Sequence, residues 1–112
     1  MTTPWTKIVR RLSLDALEEH KAYKAAITAS TSLATAIGEA MQDDAAGFII
    51  HNDDSSTTLY IQFDGTDATA NAFPIPAGSQ YFVKGTETML AKVRLYAASS
   101  VDARIIQLTA ID

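Results

Sequence analysis

Hydrophobic and polar positions alternate with a period of two through much of the second half of the chain, and that period predicts strands. In "TTLYIQFD", Leu59, Ile61 and Phe63 share one face while Tyr60 and Gln62 share the other, as in a half-buried strand. "QYFVKG" follows as a further β-type run, and in "AKVRLYAAS" Val93, Leu95 and Ala97 alternate with Arg94 and Tyr96. The closing run "VDARIIQLTA" sets Ile105 beside Ile106, so both of its faces carry apolar weight. A strand covered on both sides does this, and so does one whose outer face meets a partner subunit. Upstream, "GFIIHN" and "TTLYIQFD" flank the turn-forming "DDSS" and read as a hairpin. "ITASTSLATAI", beginning at Ile27, is dense in Thr, Ser and Ile; one or two strands are expected, with its alanines leaving a helix open.

Before Ile27 the period changes. Ile8, Leu12 and Leu17 recur at roughly helical spacing, and "LDALEEHKAYKAA" is rich in good helix formers. Ser13 suits an N-cap with Asp15 in the first turn, and Thr3 before Pro4 offers an earlier start. The apolar stripe is thin, so such a helix needs a neighbour. The expectation is a mainly β chain: a single β-sandwich or jelly-roll-like domain over residues 27–112, preceded by a short N-terminal helical arm over residues 1–26.

Composition narrows the functions. The 112 residues suit one domain. Cysteine is absent, which removes disulfides, thiolate metal sites and a thiol nucleophile. No apolar run approaches a membrane span, and "MTTPWTKIVRRLSLDA" lacks the continuous apolar core of a secretory signal. The net charge of −4 is uneven. Residues 1–24 hold Lys7, Arg10, Arg11, Lys21 and Lys24 against Asp15, Glu18 and Glu19, whereas the remainder sets four cations against ten carboxylates. The acidic body repels phosphate backbones and argues against nucleic-acid binding. The basic leading segment fits either a solvated helix face or a docking element for an acidic protein surface.

Candidate chemistry is sparse. His20 and His51 are the only imidazoles, and "EEHKAYK" lacks the second histidine of a zincin helix, so no metal site or cofactor is expected. Asp64, Asp67 and Asn71 are hard oxygen ligands gathered in one connection, yet their spacing matches no calcium loop. Turn formation accounts for all three, with Gly65, Pro74, Pro76 and Gly78 shaping the same path. The carboxylate pairs Asp43–Asp44 and Asp53–Asp54 sit in turn-like stretches where solvation is the ordinary state. No nucleophile elbow, phosphate loop or dinucleotide fingerprint occurs, and catalysis is not expected. Tyr60, Tyr81, Phe82 and Tyr96 offer either strand packing or a stacking surface for sugars or bases.

Two stretches, "FIIHNDDSSTTLYIQFDGTDATANAFPIPAGSQYFV" and "VRLYAASSVDARIIQLTA", carry a resemblance. Residues 46–110 resemble a small β-sandwich type encoded among the virion genes of tailed bacteriophages, in which an "LYI-x-FD" strand leads through a loop with Asn, an aromatic and Pro to "AG". Ala72 stands before Phe73 where that type would have Gly, which restricts the loop backbone. The resemblance implies a capsid decoration or cement subunit at the capsid surface, assembled in the bacterial host cytoplasm. Its implied partners are the major capsid protein and copies of itself, as a homotrimer, with neither nucleic acid nor membrane. Trp5, Ile8 and Leu12 would anchor an arm that orders on binding, although Trp5 equally suits covering the edge of its own core. The alternative is a carbohydrate or host-surface module of a tail or fibre, using the Asp64–Phe73 loop with Tyr60 and Tyr96.

Overall fold

The alternating stretches form strands throughout. In the computed structural model, which describes residues 17–110, eight strands build two antiparallel four-stranded sheets. The first sheet has the order β1 (Leu17–Ile27), β8 (Val101–Ala110), β3 (Ala45–Asn52) and β6 (Gln80–Lys84). The second runs β2 (Thr31–Ser32), β7 (Arg94–Tyr96), β4 (Leu59–Gln62) and β5 (Phe73–Ile75). Two short helices, α1 (Leu33–Ile37) and α2 (Glu87–Leu90), complete the described elements. The chain is mainly β, as its period indicates.

One apolar cluster draws on both sheets. Ile27, Phe48, Ile50, Val83 and Ile105 come from the first sheet, Leu59, Ile61, Ile75 and Leu95 from the second, and Leu33 and Leu90 from the helices. Val93, Leu95 and Ala97 are buried and Arg94 and Tyr96 half-buried, so the alternation of that stretch is realised. Ile105 points into the core while Ile106 lies half-buried on the opposite face, in register with Ala22 and Ile49. Phe82 continues that row on β6.

Two expectations are corrected. Residues 17–26, expected in a helical arm, form most of β1, and the 26/27 boundary falls inside that strand. Good helix formers yield here because pairing along β8, from Leu17 opposite Ala110 to Ile27 opposite Val101, supplies what an amphipathic helix with a thin stripe lacked. Tyr23, Ala25 and Ile27 already carried the period of two. Trp5, Ile8 and Leu12, with Pro4 and Ser13, lie outside the described residues.

"ITASTSLATAI" supplies the end of β1 at Ile27 and the two-residue β2, then turns into α1, the helix that its alanines left open. The Ser32 hydroxyl accepts the Thr35 N–H, and Gly38 closes the helix at φ 77°, in the left-handed region that glycine favours.

The second correction concerns β3 and β4, which belong to different sheets and form no hairpin. Asn52 makes the crossing. Its buried side chain donates from Nδ2 to the carbonyls of Thr57 and Ile75, both at 2.9 Å, and its Oδ1 accepts the Asp54 N–H at 3.1 Å. Asp54 in turn accepts the N–H groups of Ser56 and Thr57, which hold its carboxyl below the usual value. "DDSS" is therefore a corner between sheets, since a buried Asn satisfied on three sides fixes the chain more firmly than a free turn.

Candidate interaction surface

At the flank where β6 ends one sheet and β5 ends the other, large apolar side chains meet solvent. Phe63 is 41% exposed, Phe73 56% and Met89 57%, and these are the exposed large hydrophobics among the described residues. They gather around β6. Tyr81 packs edge-on to Phe63 with centroids 5.8 Å apart and tilted to Phe73 at 5.3 Å, which ties the two phenylalanines into one cluster. A groove of about 510 Å³ lies along Phe63, Tyr81, Phe82, Met89 and Leu90, with Lys84 and Lys92 at its rim. A second, of about 430 Å³, runs past Phe73, Pro74 and Tyr81. Tyr81 and Phe82 line both, so the grooves adjoin.

The local causes are plain. β4 ends at Gln62, so Phe63, placed by alternation on the buried face, passes the end of the strand and reaches the rim. Phe73 pairs with Ile61, which turns its ring toward the core face of an edge strand and hence toward Tyr81 of the facing sheet. Pro74 is tolerated because β5 is an edge strand. Met89 sits on α2, where the Thr86 hydroxyl accepts its N–H as the N-cap bond.

The loop between β4 and β5 is fastened to the body. The Asp64 carboxylate accepts the hydroxyl and N–H of Thr66 and the side-chain amide of Gln62, and these donors, Thr66 foremost, hold it below the usual value. Ser30 Oγ accepts the Ala68 N–H at 2.9 Å and Arg94 Nε–H at 2.7 Å, while Arg94 also lies 3.7 Å from Asp67. Ala68 is buried. Asn71 donates its backbone N–H to the Thr69 hydroxyl. The polar groups that suggested a calcium loop thus serve the loop's own turns and its attachment to Ser30 and Arg94. Among the described residues, no group of three or more His, Asp or Glu is arranged to hold a metal.

The predicted site residues divide between two surfaces. Tyr60 and Tyr96 pair across β4 and β7, with centroids 6.3 Å apart and both rings half-buried on the outer face of the second sheet. Phe73 stands apart from them, in the flank cluster. His20 lies at the bulge between Glu19 and Lys21, and His51 lies within β3 opposite Arg104 and Gln80. Phe63 and Met89 were missed as surface residues, and their signal was faint. Phe63 ends an alternating run immediately before the Asp64–Gly65 turn, where a strand face ceases to guarantee burial.

Comparison with known proteins brings no match: no family model, no curated protein and no solved structure pairs significantly with this chain. What the fold and surface define is a mainly β, two-sheet protein with an apolar flank.

Proposed function

We propose that the protein is a virion structural protein of a tailed bacteriophage, a decoration or cement subunit that binds and stabilises the head shell. In this reading the two sheets form a jelly-roll-like sandwich and the protein performs no catalysis. It is assembled in the host cytoplasm and sits on the capsid surface against the major capsid protein and copies of itself, as the trimer that the resemblance over residues 46–110 implies. The observation that supports an adhesive role most is the gathering of Phe63, Phe73 and Met89 around Tyr81, because exposed apolar clusters on soluble domains mark contact surfaces. The test is binding to heads of the phage that encodes it. Saturation at a fixed copy ratio, weakened by Phe73→Ala, supports the proposal, whereas heads that take up none overturn it.

A second reading has its own observation. Tyr60 and Tyr96, side by side on the outer face of the second sheet, offer ring surface to a sugar. Glycan-array binding lost in Tyr60→Ala would place the protein among tail or fibre modules.

A further inference from the structure

We infer that the leading segment, residues 1–16, docks on its own domain and sets Trp5, Ile8 and Leu12 into the groove between α1 and α2. This groove, of about 490 Å³, is a separate one from those beside Tyr81. Ala34 of α1 forms one wall, Thr88 of α2 and the following Ala91 the other, and Ala40 and Met41 the floor between them. The three alanines are exposed, and Met41 is half-buried against the core. Small side chains on both walls leave room for large ones from elsewhere.

The segment joins the domain close to this groove. Leu17 pairs with Ala110, and Ala110 donates its N–H to the Asp44 carbonyl at 3.1 Å. Asp44 stands three residues beyond Met41, and Gln42 between them donates its N–H to the Gln107 side chain at 2.9 Å. Two strand spacings therefore separate Leu17 from Asp44, ~10 Å. The chain from Leu12 to Leu17 covers up to ~17 Å when extended, so reach is no obstacle. In the sequence, Trp5, Ile8 and Leu12 recur at i, i+3 and i+7, the spacing of one helix face, with Lys7, Arg10 and Arg11 off that face.

Charge selects this groove over the larger one. Residues 1–16 hold three cations against one carboxylate. Glu87 is the one charged residue lining the α1–α2 groove, and the connection beside it, "GEAMQDD", carries carboxylates and no cation. The groove past Phe63 is lined instead by two cations, Lys84 and Lys92, and one carboxylate, Asp64. A basic apolar segment is attracted to the first and repelled by the second.

This docking does not depend on the virion reading. Trp5 is the single tryptophan of the chain, so its fluorescence reports the contact directly. In the full chain its emission is expected to lie to the blue of the urea-unfolded chain and to resist acrylamide quenching, equally at every protein concentration. Ala34→Arg and Ala91→Arg, one on each wall, place bulk and a cation in the groove at exposed positions that folding tolerates. Each is expected to abolish the blue shift while the circular dichroism stays unchanged. Ser100→Arg adds the same charge at an exposed site beside Val101, at the far end of the β1–β8 pair, and should leave the emission as it was. Emission that matches the unfolded chain overturns the inference, as does a blue shift that both groove variants leave in place. A blue shift that grows with concentration also overturns it, because the groove is then filled by the segment of a second copy. Head binding is measured separately, so failure of either proposal leaves the other standing.

Discussion

β1 and β6 are the two outer strands of one sheet, and they are held by different means. β1 runs eleven residues and pairs with β8 along almost its whole length, yet most of its side chains are exposed and many are charged. β6 runs five residues and pairs with β3, but its rim carries Tyr81, Phe82 and Val83, with Phe63, Phe73 and Met89 nearby. β1 is secured by backbone pairing and presents charge to solvent. β6 is secured by packing and has exposed apolar side chains beside it. The difference teaches that an edge strand's length and its availability are separate properties.

The severest way to break this comparison is through the core that serves both strands. Phe48 is fully buried and stands in register with Gln107 of β8 and Val83 of β6. Phe48→Ala is expected to cost ~3–5 kcal/mol in urea unfolding, with β1 and β6 amides losing protection in one transition. Loss confined to β6 would mean that the two edges are stabilised separately.

A narrower cut touches β6 alone. A Cβ at Gly47 would lie 2.8 Å from the Val83 carbonyl oxygen and 2.9 Å from Cε1 of Phe82, whose ring rests over this glycine. Because the first of these neighbours is backbone, β6 itself must shift. Gly47→Ala is expected to cost ~1–3 kcal/mol and to speed amide exchange in β6 while β1 stays as it was. Equal acceleration in both strands would contradict the separation drawn here.

The two edges also differ in how legible they were. β6 was plain in "QYFVKG" because aromatic and β-branched residues stand together there with little competition from helix formers. β1 was masked by Leu, Glu, Ala and Lys, whose helix propensity is local, while the β8 partner that overrides it lies some eighty positions away. The Asn52 corner was hidden for a related reason. "DDSS" marks a change of direction, but only the distant carbonyl of Ile75 decides that the chain leaves one sheet for the other. Tyr60 and Tyr96 could be named as surface aromatics from alternation, whereas grouping Phe73 with Tyr81 required the facing of the two sheets.

A smaller effect separates charge from packing. Glu39 accepts the Tyr23 hydroxyl of β1, its leading contact, and Lys21 Nζ at 3.3 Å, and its carboxyl is held below the usual value. Asp54 and Asp64 are lowered likewise by their own donors. A folded pKa below the unfolded one stabilises above the unfolded value and loses that contribution as pH falls through the folded value. Thermal midpoints are therefore expected to hold steady above pH 4.5 and to fall below 3.8, the ordinary values of these groups. Carboxyl titrations by NMR should show all three ionising below their ordinary range. A stability that rises on acidification through this window would reverse the sign assigned here.

The smallest expected change in stability is the most informative about β1. Lys24 lies 3.8 Å from Asp102, and both side chains are half exposed or more, so the pair is screened by water. Lys24→Val should shift unfolding by no more than ~0.5 kcal/mol, for the valine suits a strand and the lost ion pair is weak. Its consequence should appear between molecules instead. With the charge gone, two copies can approach at the edge of β1 without repulsion, and self-association should emerge. Sedimentation of Lys24→Val against the parent chain over a range of concentrations measures this directly. If the two show the same mass at every concentration, Lys24 does not guard the edge.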